Sequence, residues 1–364
     1  AESATLAMAR MSRELIAQGH DIISLSLGEP DFDTPDFIKE SAKKAIDDNF
    51  SHYTPVPGFL ELREAICRKF KRDNNLDYTP DQIVVSTGAK QSLSNVCLSL
   101  LNNEDEVILP CPYWVTYTEL VKLAGGIPVE IQSSVDTDFK VTPDQIEAAI
   151  TPKTKALMFS SPCNPSGSVY TKQELLDIAK MLEKYPDIFI ISDEIYEHIN
   201  FTDAHFSIGT LPSMKERTIT INGVSKGFAM TGWRVGFIGA PLWIAKASNK
   251  LQGQLTSATC SIAQKATKTA MLVEPEEATT YMKETFLSRR DMLLEKLNEI
   301  PGIRCNIPKG AFYIFPDVSY YFGKTDSKEV INNSNDLCMY LLNKAHVAVV
   351  SGAAFGNPEC IRIS

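Results

Sequence analysis

The sequence predicts an α/β protein: a mostly parallel sheet with helices on both faces, plus a smaller α+β domain. Short apolar runs alternate with helical patterns through the middle of the chain. These runs are continuously apolar, as strands covered on both faces require. After about Pro241 the pattern turns helix-rich and then returns to short strands, which marks the second domain.

Taken in order, QIVVS precedes a helical stretch KQSLSNVCLSLL, and DEVILP precedes a helix from Tyr113 to Leu123. IPVEI follows as the next strand. KALMFS precedes the helix KQELLDIAKMLEKY, and DIFIIS, RTITI and RVGFIGA complete the strand series. The long polar–apolar pattern ETFLSRRDMLLEKLNEI is a helix, and GAFYIFPDV and HVAVVSG read as strands of the smaller domain. The expected division is a large domain over 28–270 and a small one over 271–364, with 1–27 returning to the small domain. Ligands of open α/β sheets bind beyond the carboxyl ends of the strands. That is where chemistry is to be sought.

Composition removes several function classes. No apolar run approaches the ~20 residues of a membrane span, so no membrane partner is expected. The start has no basic end leading into a long apolar core, so it does not read as a signal peptide. A net charge of -9 argues against nucleic acid as the main partner. The eight cysteines include no CxxC pair, and the five histidines show no ligand spacing. Reduced thiols in a cytoplasmic protein, and no metal, are the expectation. There is no internal repeat.

Five motifs remain, each at a strand exit. In INGVSKGFAMTGWRVGF, Lys226 follows the strand RTITI, with Arg234 eight residues on. A lysine with lowered pKa is a Schiff-base nucleophile, and an arginine clamps phosphate with paired bonds. Most lysines are nevertheless solvated surface charges. In SDEIYEH, Asp193 directly follows an apolar strand and Tyr196 lies three residues later. A carboxylate there needs a cation, such as a protonated pyridine nitrogen, although a helix cap would read the same way. Glu194 and Glu197 are expected to be solvated. SSPCNPSGSVY places Asn164 in a tight loop, where its amide can donate to a phenolic oxygen or simply serve the turn. STGAKQSL carries small residues into a helix start, a geometry that admits phosphate to backbone N–H groups or merely turns the chain. PCPYWVTY offers Trp114 as a stacking ring or as a core aromatic. Each signal alone is modest. Their succession at consecutive strand exits makes chance assembly a poor account.

Together NPSG, SDEIY and SKGFAMTGWRVG resemble the class I aminotransferases of pyridoxal phosphate fold type I, above all the TGWR-bearing bacterial aspartate aminotransferase subgroup. The resemblance runs from SATLAM to IRIS, and GEPDFDTP and HYTPVPGFLELREAI share it. It implies pyridoxal phosphate as cofactor and a ping-pong exchange of amino groups between aspartate or glutamate and oxaloacetate or 2-oxoglutarate, by way of pyridoxamine phosphate. Lys226 then resembles the Schiff-base lysine and proton shuttle, and Asp193 the partner of the pyridinium. Tyr196 and Asn164 resemble the pair on the phenolic oxygen. Gly88, Ala89 and Arg234 resemble phosphate ligands, with Ser225 adjacent, and Trp114 the stacking ring. Arg362 resembles the clamp on the substrate α-carboxylate, and Gly28 the glycine beside it; Trp114 and Asn164 also face substrate. Lys90, Ser3 and Thr5 stand where the subgroup recognises a distal carboxylate. Tyr53 resembles the tyrosine sent into a neighbouring subunit, which implies a homodimer.

Two departures stand out. Gly223 occupies a position where many distant members carry a phosphate-binding serine. Family members also continue beyond Arg362 into a further strand and helix, so the small domain is expected to lack that segment. Aromatic or prephenate transamination, and carbon–sulfur lysis on the same lysine, are the alternative activities. A cofactor-binding regulator is disfavoured by the acidic charge and the lack of a helix-turn-helix segment ahead of Ala1.

Overall fold

The computed structural model describes residues 4–202 and 204–364. Its strands are β1 (Ile23–Ser24), β2 (Ile83–Ser86), β3 (Glu106–Pro110), β4 (Ile127–Ile131), β5 (Thr154–Ser160), β6 (Phe189–Asp193), β7 (Thr218–Gly223), β8 (Gly236–Gly239), β9 (Val347–Ala348), β10 (Val350–Ser351) and β11 (Ile361–Arg362). Seven of them form the central sheet in the order β2-β8-β7-β6-β5-β3-β4. All neighbours are parallel except β8, which runs antiparallel to both β2 and β7.

Side chains alternate across this sheet, so each strand feeds two cores. Val107 and Leu109 of β3 pack on one face with Leu93, Val96 and Val121 from the covering helices. Ile108, between them, packs on the other face with Leu175, Ile178 and Leu182. This double burial is why the strands are apolar throughout; each such side chain contributes roughly 1.5–3 kcal/mol. The helices begin where their sequences say they should. In TKQE, Thr171 caps Lys172–Leu182, accepting from the Glu174 N–H while Glu174 accepts from the Thr171 N–H at 2.7 Å.

A further apolar cluster joins Met8 of the first helix (Ala4–Ala17) to Leu297, Ile314, Val318, Leu337 and Ile361. The chain ends also meet in β1, which pairs in parallel with β9. Two expected strands differ from the structure. GAFYIFPDV forms isolated bridges, Ile314 to Ile363 and Asp317 to Cys360, rather than a ladder. Pro316 has no N–H to extend the pairing. HVAVVSG splits at Val349, because β9 pairs with β1 and β10 turns to pair antiparallel with β11. Among the described residues, no helix is long and apolar enough to cross a membrane.

Candidate active site

The carboxyl ends of β5, β6 and β7 open onto a cavity of about 280 Å³. Asp193 is the last residue of β6, paired in register with Ser160 of β5 and Ile221 of β7. Lys226 lies just past the end of β7. Asn164 comes from the loop after β5, and Trp114 from the loop after β3. Ala89 and Lys90 open the helix Ala89–Leu100 that follows β2. Ser225, Tyr196, Arg234, Gly28, Thr5 and Arg362 also line the cavity, so most of the residues singled out in the sequence converge on one space.

Charged groups crowd this space: Asp193 and Arg362 are buried and Lys226 is half-buried. Asp193 is 4% exposed, and its carboxylate accepts from the Tyr117 hydroxyl at 2.7 Å and the Ile195 N–H at 3.2 Å. Burial pushes its pKa up to about 6, against those two bonds. A carboxylate so desolvated calls for a cationic partner. Lys226 donates to the Gly28 carbonyl at 2.6 Å. Burial, with help from the Arg362 and Arg234 cations, lowers its pKa to about 8, so about a tenth of the amine is neutral and nucleophilic at pH 7, far more than for an ordinary lysine. Arg362, 1% exposed, donates from Nη1 to Asn164 Oδ1 at 3.1 Å and from Nη2 to the Ser26 carbonyl at 2.6 Å. Among the described residues its Nε has no partner.

The phosphate-type corner is built from close backbone approach. Gly88 has φ +83°, and a Cβ there would collide with the Arg234 guanidinium. Arg234 is itself left-handed at φ +56° and donates to the Thr231 carbonyl at 2.8 Å. The helix Ala89–Leu100 starts beside it, and a helix N-terminus is an anion-binding arrangement. The glycine at 223 also has a steric reason. A Cβ would stand 2.9 Å from Gly236 Cα and from the Val235 carbonyl, so no serine fits. Lys90 sits at the Trp114 ring, its Nζ 5.1 Å from the centroid.

These features fit pyridoxal phosphate: an anion corner, a buried acid, a lysine of lowered pKa and an arginine with a free donor. Tyr53 lies outside the cavity and is 99% exposed. Ser3 lies outside the described residues.

Reading the sequence missed Tyr117 and Tyr313, both on the cavity wall. Tyr117 sits three residues after Trp114 at a helix start, a spacing that could have found it. Tyr313 has no comparable local signal. Glu194 and Glu197 correct the expectation of solvated acids: both are buried. Glu197 pairs with Lys69 and accepts from Asn74 at 2.5 Å and Asn222 at 2.9 Å; Glu194 pairs with His205 at 2.8 Å. Among the described residues, the two groupings that could hold a metal, Asp73–Glu197–His198 and Glu194–Glu197–His205, are thus already engaged with internal donors.

Comparison with known proteins agrees with this geometry. The family model for aminotransferase class I and II matches residues 20–364. An aspartate/prephenate aminotransferase of Cereibacter sphaeroides is 47% identical over 100% of this chain and 91% of its own length. An aspartate aminotransferase of Pinus pinaster is 45% identical, over 100% and 75%. Among solved structures, the Rhizobium meliloti aspartate aminotransferase superposes with TM-score 0.96 at 40% identity, covering 100% of this chain and 92% of that one. The Thermus thermophilus aspartate aminotransferase with maleate gives 0.92 at 40% identity and the same coverage.

Proposed function

Because this chain belongs to the class I and II aminotransferases, we propose that it moves the amino group of L-aspartate or L-glutamate to a 2-oxo acid, with pyridoxal phosphate held around Lys226. One observation carries the placement: buried Asp193 and Arg362 and half-buried Lys226, all ionisable, meet in one cavity. When bound, the cofactor supplies an electron sink for the bond broken at the substrate Cα. The protein supplies position and charge. Arg234 and the N–H groups around Gly88 and Ala89 hold the phosphate, with Ser225 beside them. Asp193 would meet the ring nitrogen, Trp114 would stack on the ring, and Asn164 and Tyr196 would bond its phenolic oxygen. Arg362, with its free Nε, takes the α-carboxylate in a paired, planar contact beside Gly28. The substrate is thereby oriented with its Cα hydrogen toward Lys226, whose pKa near 8 lets it take and return that proton.

Lys90, with Thr5 and Ser3, receives the distal carboxylate in this reading. The names of the relatives support aspartate as a substrate, and the aspartate/prephenate relatives keep prephenate as a second amino acceptor. The protein acts as a cytoplasmic homodimer, with exposed Tyr53 reaching the neighbouring phosphate site. Residues 28–270 form the cofactor domain and 271–364 the small one; the cluster joining Met8 to Leu297 and Ile314 supports assigning 1–27 to the latter.

The test is a half-reaction. Protein loaded with pyridoxal phosphate is mixed with L-aspartate, L-glutamate or L-phenylalanine, and the cofactor spectrum and the released oxo acid are followed. Aspartate should react most efficiently, and Lys90→Ala should raise its KM by about tenfold while sparing phenylalanine. Equal loss for both amino acids would remove Lys90 from distal recognition, and a preference for phenylalanine would overturn the aspartate assignment.

A further inference from the structure

Tyr313 enters the cavity from the C-terminal part of the chain and is 2% exposed. Its two ends have different partners. The hydroxyl lies 2.7 Å from the Tyr196 hydroxyl. The ring lies 4.7 Å from the guanidinium carbon of Arg362, which also sits 5.0 Å from the Phe355 ring. Gly28 makes room for this tyrosine, since a Cβ there would collide with its hydroxyl. Asn164 closes the circuit: it accepts from Arg362 Nη1 at 3.1 Å, and its Nδ2 lies 3.4 Å from Tyr196 Oη. Four side chains from separate parts of the chain therefore form one closed loop of contacts.

We propose that Tyr313 is a positioning residue with two separable actions: its hydroxyl sets the hydrogen bonding of Tyr196, and its ring fixes the guanidinium of Arg362 for the substrate carboxylate. The proposal rests on the pyridoxal phosphate site described above. Tyr196 has one hydroxyl proton. Once that proton is given to a phenolic oxygen, the Tyr196 oxygen can only accept, and Tyr313 is the short-range donor. Hydrogen bonds in such a chain strengthen one another. The other groups acting on Tyr196 are Asn164, Arg362, Asp193 and Lys226, with the Lys226 Nζ 5.9 Å from its ring. None of them replaces a hydroxyl donor at 2.7 Å. At Arg362, Asn164 and the Ser26 carbonyl hold the Nη edge, while the Tyr313 and Phe355 rings lie near the guanidinium. A desolvated cation–ring contact is strong enough to set that attitude.

Tyr313→Phe removes only the hydroxyl; Tyr313→Leu removes both functions. Each cofactor-loaded protein is titrated with pH, reading the midpoint of the visible cofactor band, and with maleate as an unreactive dicarboxylate, reading Kd. Tyr313→Phe should raise the midpoint by about half a pH unit, because the phenolate is less well stabilised. Its maleate Kd should stay within about twofold of wild type, whereas Tyr313→Leu should weaken maleate by about tenfold. An unmoved midpoint in Tyr313→Phe, or equal maleate affinities in the two variants, overturns the two-part role. If wild-type protein gives no spectral response to maleate, the cofactor site itself is misplaced. A responsive wild type with indistinguishable variants defeats the Tyr313 proposal alone.

Discussion

Asp193 makes the protein without cofactor less stable than it could be, and the size of that effect can be worked out. Its carboxyl titrates at about 6 in the folded chain, against an ordinary 3.8. The difference corresponds to about 3 kcal/mol of differential stability. The sign follows from the raised value. Below about pH 4 the group is protonated in folded and unfolded chains alike, and there is no penalty. The penalty grows as pH rises past the unfolded value and is complete above about pH 6. The two bonds fall on different carboxylate oxygens, so Asn at this position keeps one acceptor: its Oδ1 can take the Ile195 N–H, while its Nδ2 faces the Tyr117 hydroxyl, which must turn to accept. The amide carries no charge, but it leaves an amide proton unpaired, at a cost of about 1 kcal/mol. The Asp193→Asn apoprotein should therefore be more stable than wild type by about 2 kcal/mol at pH 8, and this advantage should vanish by about pH 4. Urea unfolding of both apoproteins at the two pH values measures it. Saturating pyridoxal phosphate should reverse the order, because only the aspartate gains a cationic partner. Turnover of the variant should fall by at least about a hundredfold. Apoproteins that unfold identically at both pH values would refute the electrostatic reasoning, and so would a variant stabilised by the cofactor as strongly as wild type.

Three other substitutions probe separate parts of the structure. Lys226→Ala should abolish turnover yet retain cofactor binding through Arg234 and Asp193, visible as quenching of intrinsic fluorescence on adding pyridoxal phosphate; near-normal turnover would remove the lysine from the chemistry. Gly223→Ser forces a Cβ against Gly236 and Val235, and should cost about 1–3 kcal/mol in a denaturant titration; unchanged stability would mean that β7 and β8 separate freely. Lys69→Met strands the buried Glu197 carboxylate, and should cost about 3–5 kcal/mol by the same measurement at pH 7, with a loss below 1 kcal/mol counting against the ion pair. Lowering the pH should narrow this last difference, since the Glu197 carboxyl is held well below its ordinary pKa by Lys69 and the nearby histidines, and its contribution is lost only as pH falls.

Much of the site was legible in the sequence because its residues stand next to strand ends, and strand ends are written in apolar runs. Asp193 directly follows DIFIIS, and Lys226 follows RTITI within a few positions. Once the runs are read as parallel strands, their exits share one edge. Residues that reach the site from elsewhere have no such marker. Tyr313 lies in GAFYIF, where an aromatic is an unremarked core residue until Ile314 is found bridging Ile363 and the ring is found against Arg362. Glu194 and Glu197 were misread for a related reason. A carboxylate's burial depends on its partner, and Lys69 comes from the distant helix Leu60–Asn74. No window around SDEIYEH contains that information.

That misreading exposes what holds the site in register. In SDEIYEH, Asp193 and Tyr196 reach the cavity, while Glu194 and Glu197 turn away from it into a buried polar network. Glu197 accepts from Asn222, and Asn222 in turn accepts from the Gly223 N–H at 2.7 Å, at the very end of the strand that presents Lys226. Glu194 accepts from Ser192 at 3.0 Å and from Asn74 at 3.1 Å. One short segment thus supplies Asp193 to the cavity on one side and the fastening to the strand that presents Lys226 on the other. Apolar packing alone would tolerate sliding between β6 and β7, because one isoleucine replaces another with little change. A charged pair with directional bonds does not, since any shift leaves a buried carboxylate without a donor. An apolar core of the same volume would be at least as stable. What the network adds is a fixed separation between Asp193 and Lys226, the two groups proposed above to face opposite ends of one cofactor ring.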